Sequence, residues 1–171
     1  VGKLSEAALT LSKHGLQGPG EIASGFRILA QAGLDAIESL QAMPNVLRLA
    51  TVGEMSMEQA AITLTGVMNA FNLTVKDSEH IGDVFAKAAA LSQTSVSEMT
   101  QALKTASVVG EQYRVSMEDT ATAVTLLAKV NITGTAAGTA VRNMMKELYA
   151  PGKAAAEVMT TLGLKTKDAS G

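Results

Sequence analysis

Helix-capping signals interrupt this chain about every twenty residues, and that spacing confines it to short helices. Asp35-Ala36-Ile37-Glu38, Ser56-Met57-Glu58-Gln59 and Ser95-Val96-Ser97-Glu98 fit the capping box. In that motif the first and fourth side chains satisfy each other's backbone N–H groups. Ser116 precedes Glu118 and Asp119, whose charges suit the positive end of a helix dipole. Glycines at Gly15, Gly33, Gly53, Gly110 and Gly163 stand where helix C-terminal caps are expected. Helix starts are therefore predicted near Ser56, Thr74, Ser95, Ser116 and Thr135.

Between these signals the apolar spacing is helical. Met57, Ala60, Ala61, Leu64, Val67, Met68 and Phe71 form one stripe. Ile81, Val84, Phe85, Ala88 and Leu91 form the next, followed by Val96, Met99, Leu103 and Ala106. Met117, Ala121, Val124, Leu127 and Ala128 continue the series. Ala137, Ala140, Val141, Met144 and Leu148 follow, closed by Pro151. Upstream, Leu4, Ala8 and Leu11 mark one short helix, and Ile22, Phe26 and Leu29 another. Pro44 is expected to open a further helix through Leu47 and Ala50. No run alternates with the period of a strand.

Composition narrows the fold further. Hydrophobic residues are 47 % of the 171, yet aromatics are only 3 % and Trp is absent. A β-sandwich leans on aromatic and β-branched residues, and a base-stacking nucleic-acid module needs aromatic faces; both are disfavoured. At 18 % charged, the chain is too apolar for disorder. The expected fold is all-α, a compact array of roughly 8–10 short antiparallel amphipathic helices. One helical domain over 1–171 is expected, with a candidate sub-boundary near 53–56. Stacked two-helix units are a further option. Phe71 to Asp77 resembles Tyr113 to Asp119 at an offset of 42, and Ala86-Lys87 matches Ala128-Lys129. Chance likeness between two capped amphipathic helices is the alternative. Val1 in place of Met, and a C-terminal Asp168 to Gly171 that closes no element, lead to the expectation of a piece from a longer protein.

Little in the chain carries chemistry. There is no Cys, so thiolate metal sites, disulfides and Cys nucleophiles are excluded. Net charge is −2 and the basic residues are scattered, which argues against specific nucleic-acid binding. His80 and Asp83 share a helix face as two metal ligands might in principle, but no third ligand has metal-site spacing. A surface His80, and a His14 that caps a helix end before Gly15, are the preferred readings. Gly15 to Gly20 is glycine-rich but lacks the strand and Lys-Ser/Thr of a phosphate loop. Glu118 and Asp119 are better read as a helix start than as acid/base groups. The charge-free run from Gln59 to Val75 is better read as a buried amphipathic helix than as a membrane span. No catalytic residue, cofactor or metal is expected.

The most specific local pattern is Gly134 to Arg142. Its small residues, Gly134, Ala137, Gly138 and Ala140, allow another backbone to approach closely. A tight helix crossing within the chain is the preferred reading. A contact between subunits is the functional one, with Gly134, Gly138, Thr139 and Arg142 as its residues. Arg142 would then tie down carbonyls or a carboxylate such as Glu118 or Asp119.

The stretch from about Ser5 to Leu164 resembles the folded core region of phage tail tape measure proteins. The landmarks are Leu11 to Leu16, Ala70 to Leu73, Ile81 to Ser92 with Ser95-Val96, Ser116 to Leu127, Gly134 to Arg142, Tyr149 to Pro151 and Leu162 to Leu164. Val130 to Ile132 and Val141-Arg142 depart mildly from the family's usual Gly or Leu. The resemblance implies a structural virion protein that is not an enzyme. It would lie inside the tail tube, set tail length, serve assembly and leave ahead of the genome. Expected partners are tail tube, tail tip or baseplate components and further copies of itself. The implied location is the tail lumen of the virion, after synthesis in the host cytoplasm. The alternatives are a cell-wall-degrading or a membrane-active module of a tail protein used in genome delivery. Because caps break the chain so often, a folded module attached to a helical rod is expected, not the rod itself.

Overall fold

Five helix–helix turns share one three-residue device. Gly33, Glu54, Asn72, Arg114 and Asn131 all take a positive φ, between 48° and 95°. The residue after each is apolar: Leu34, Met55, Leu73, Val115 and Ile132. Its N–H donates to a carbonyl five residues back, as in Leu73 to Met68 and Val115 to Gly110, both at 2.8 Å. This is the Schellman arrangement, which satisfies orphan carbonyls at a helix end. The third residue, Asp35, Ser56, Thr74, Ser116 or Thr133, is the N-cap of the next helical segment. Helix stop, apolar plug and helix start thus occupy three consecutive residues.

The computed structural model describes residues 2–12, 17–92 and 94–163. His14, Gly15 and Leu164, singled out in the sequence, lie outside the described residues. Among the described residues there is no strand. The helices are α1 (Gly2–Ser12), α2 (Pro19–Gln31), α3 (Ala36–Val52), α4 (Met57–Ala70), α5 (Ser78–Leu91), α6 (Val96–Tyr113), α7 (Met117–Ala128), α8 (Gly134–Tyr149) and α9 (Lys153–Thr161). A 3-10 turn, Val75–Asp77, leads into α5.

The capping signals perform mostly as expected. Asp35 Oδ1 accepts from the N–H groups of Ile37 and Glu38, while Glu38 Oε2 accepts from Asp35 N–H, completing a capping box. Ser95 and Glu98 do the same at α6. Ser56 and Ser116 each accept from a backbone N–H three residues on. Such caps stabilise a helix by about 1 kcal/mol each. Other details differ from the sequence reading. Gly53 is the C-cap of α3 as expected, but with φ −89°, and the left-handed residue is Glu54; Gly110 lies inside α6. Pro44 lies inside α3 and opens no new helix. The last long helix starts at Gly134, next to the expected Thr135, with Thr133 as its N-cap.

Helices two apart in the chain pack on one another. α2, α4, α6 and α8 make one row; α3, α5 and α7 make a second, and consecutive helices join the rows. The first-row helices begin in steps of 38, 39 and 38 residues. Stacked two-helix units are therefore present, and the 42-residue likeness falls on two equivalent turns, at Asn72 and Arg114. Within a row the helices run parallel. Asn45 meets Ser78 and Arg48 meets Asp83 across α3 and α5. Glu98 meets Thr133 and Tyr113 stacks on Tyr149 across α6 and α8.

One apolar cluster runs from Ala8 to Met145, including residues on both sides of 53–56. It is built largely of Ala, Met, Leu and Val. Small and flexible side chains meet directly within it: a Cβ placed on Gly25 would stand 3.3 Å from Met43 Cε and 3.4 Å from Met57 Cε. Unbranched Met fills irregular gaps left by short helices, a task that aromatic plates suit less well.

Candidate interface residues and family membership

The Gly134 to Arg142 segment forms the start of α8, which lies along α6. Gly138 is buried at the closest point. A Cβ there would stand 2.5 Å from the carbonyl oxygen of Ala102 and 2.7 Å from Thr105 Cβ. The close approach foreseen from the small residues is thus made to a helix of the same chain. Gly134 is buried as well, with φ +57°, beside the side chains of Glu98 and Gln101. Thr139 and Arg142 are half-buried. No carboxylate or carbonyl among the described residues pairs with Arg142; Glu118 pairs with His80 instead.

Glu98 anchors the crossing, beyond the local cap that its capping box predicts. One carboxylate oxygen accepts from Ser95 N–H at 2.9 Å and Ser95 Oγ at 3.0 Å. The other accepts from Thr133 Oγ1 at 2.7 Å, joining the start of α6 to the N-cap of α8. The Ser95 N–H, then the Thr133 and Ser95 hydroxyls, hold this carboxyl below its ordinary pKa.

His80 and Asp83 do not converge on a common point. His80 Nε2 hydrogen-bonds to Glu118 Oε1 on α7, while Asp83 pairs with Arg48 on α3 at 2.6 Å. Among the described residues no group of three His, Asp or Glu side chains is placed to hold a metal. A shallow groove of about 350 Å³ separates α5 and α7, with His80 and Glu118 on its wall. The Glu118 carboxyl is held below its ordinary pKa, chiefly by its own backbone N–H at the start of α7 and further by His80. Asp77 is lowered too, chiefly by Thr74 N–H. A general acid requires the opposite displacement. No helix among the described residues is long and apolar enough to cross a membrane.

A second groove, of about 460 Å³, lies between α7 and α8 and is largely apolar. The sequence gives its residues no mark of their own. Met144 belongs to an expected core stripe and Leu126 to none, and the two are 46 % and 59 % exposed.

Comparison with known proteins shows the family of the chain. The family model described as phage-related minor tail protein matches residues 5–171. The tape measure protein of Pneumococcus phage Dp-1 is 32 % identical over 171 residues, which are 100 % of this chain and 15 % of that protein. A protein of Escherichia phage P2, named a probable tape measure protein, is 35 % identical over 144 residues, 84 % of this chain and 18 % of its own length. The chain thus spans less than a fifth of either relative. No solved structure matches. With a match over nearly its whole length, the chain belongs to the phage-related minor tail protein family.

Proposed function

We propose that this chain is a segment of a tape measure protein, acting in tail-length determination, tail assembly and genome ejection. The role is structural. It packs against further copies of itself and against tail tube, tail tip or baseplate components, inside the tail lumen, after synthesis in the host cytoplasm. Residues 1–171 work as one folded unit, including the junction near 53–56. The similarity to tape measure proteins of two phages supports this reading.

The observation that shapes it is the stack itself. A single helix of 171 residues would reach about 260 Å at 1.5 Å per residue. Here the chain reverses at each left-handed turn, so it contributes far less length than it has residues. It is a folded block carried by the length-setting protein, for anchoring or ejection, rather than a stretch of the ruler.

Small-angle scattering on the chain tests the folded state. A folded domain of this size has a radius of gyration near about 16 Å, whereas a single rod would give roughly 70 Å. Deleting the segment from the parent tail protein tests the role. The expected result is tails shortened by far less than about 260 Å; the full loss would assign the segment to the ruler.

A further inference from the structure

The four first-row helices can be compared residue by residue from their starts. The eighth and eleventh residues are Phe26 and Leu29 in α2, Leu64 and Val67 in α4, and Leu103 and Ala106 in α6, all of them buried. The same places in α8 hold Val141 and Met144. Val141 is 1 % exposed, but Met144 is 46 % exposed. The difference lies in the helix that follows. α3, α5 and α7 pack on α2, α4 and α6, whereas α9 buries no residue and packs extensively on none of the other described helices.

We propose that the groove between α7 and α8 is the seat of α9, which docks there as the second helix of the fourth unit. Four observations specify that occupant. The groove continues the row of α3, α5 and α7, and the equivalent place beside α5 and α6 is filled by α7. Its walls are apolar: Ala123, Leu126 and Leu127 from α7, Ala140, Val141 and Met144 from α8.

α9 carries the matching face. Ala155, Val158, Met159 and Leu162 recur at i, i+3, i+4 and i+7, opposite Lys153, Glu157, Thr160 and Thr161. Val158 and Leu162 stand 58 % and 67 % exposed.

The tether also fits. Only Ala150, Pro151 and Gly152 separate α8 from α9, so the local concentration of α9 at the groove is high. An antiparallel return brings Met159, about 9 Å into α9, opposite Met144, about 7.5 Å before the end of α8. It also carries Lys153 toward the end of the groove where Asp119 lies. The connector lacks the left-handed turn of the other units: Ala150 has φ −137° and ψ 65°. α9 is therefore a closing strap, and its seating covers Leu126 and Met144.

The chain contains no Cys, so introduced thiols report without background. The test is Met144→Cys with Met159→Cys, oxidised at low protein concentration, beside Met144→Cys with Thr160→Cys as the pair on the wrong face. Circular dichroism of the reduced variants verifies that each retains the parent fold. Expected is loss of both thiols in the first pair, with the product a single chain and the rate independent of concentration, and slow reaction in the second. Disulfides between chains would mean that α9 exchanges between copies and would overturn the proposal. Equal reaction of the two pairs, or none in either, would overturn it as well.

Discussion

The two sides of α8 differ sharply. Toward α6 the packing is backbone on backbone, with Gly138 against Ala102 and the Glu98 carboxylate bridging both helix starts. On the other side the face stays open, with Met144 and Leu148 exposed. Both sides are apolar and both belong to one regular helix. The lesson is that an amphipathic stripe does not decide by itself what covers it. A close approach is fixed where a missing side chain and a directed polar bridge coincide. It stays adjustable where only greasy surface is offered.

The largest effect should come from closing the tight side. Gly138→Ala places a methyl group inside van der Waals contact of a backbone carbonyl, so the helices must separate. A loss of about 2–3 kcal/mol is expected, seen in thermal unfolding as a Tm lowered by roughly 5–10 °C. An unchanged Tm would show that α6 and α8 part at no cost, and the contrast between the two faces would vanish.

Acid should weaken the same side next. The folded-state pKa of Glu98 lies below its ordinary value of 4.5. The stabilisation is therefore complete above about 4.5 and disappears as pH falls through the folded value. Glu98→Gln should flatten this part of the stability–pH curve measured by urea unfolding. Glu118 and Asp77 are also lowered, so a residual acid dependence should persist in that variant.

A smaller effect, of opposite sign, is expected at the turn that opens α7. Arg114 holds φ +54°, a conformation that costs an ordinary residue and suits glycine. Arg114→Gly should raise stability by about 0.5–1 kcal/mol, detectable in chemical denaturation. The smallest change is expected for Arg142→Ala, within about 0.5 kcal/mol, because no described carboxylate pairs with Arg142. Sedimentation of that variant sharpens the comparison: a shift in assembly without a shift in Tm would assign Arg142 to a contact between copies.

The helical periodicity, the caps and the small-residue crossing were all legible, because each is written within a few neighbouring residues. Asp35, Ser95 and Gly138 could be read where they stand. The left-handed turns were harder. Glu54 and Arg114 carry side chains that normally avoid positive φ, whereas the nearby glycines Gly53 and Gly110 do not adopt it. The usable signal was the pair that follows: an apolar residue, then Ser, Thr or Asp. Pro44 misled because a proline within a helix resembles one at its start. His80 with Glu118, and Glu98 with Thr133, could not be read from local sequence, since 38 and 35 residues separate the partners. Those separations lie near the unit length, so the partners hold equivalent places in successive units. Nothing local showed the α7–α8 groove, because a stripe that finds no partner has the same composition as one that does.

The neighbour-only pairing of the rows has a mechanical consequence. Among the described residues, every extensive contact between α-helices joins helices no more than two places apart in the chain. Pulling on one end therefore loads one or two seams at a time, never the whole core at once. Such a block is expected to open like a zip, in small steps and from its terminus. With no Cys in the sequence, no disulfide ties one seam to another, so each can part by itself.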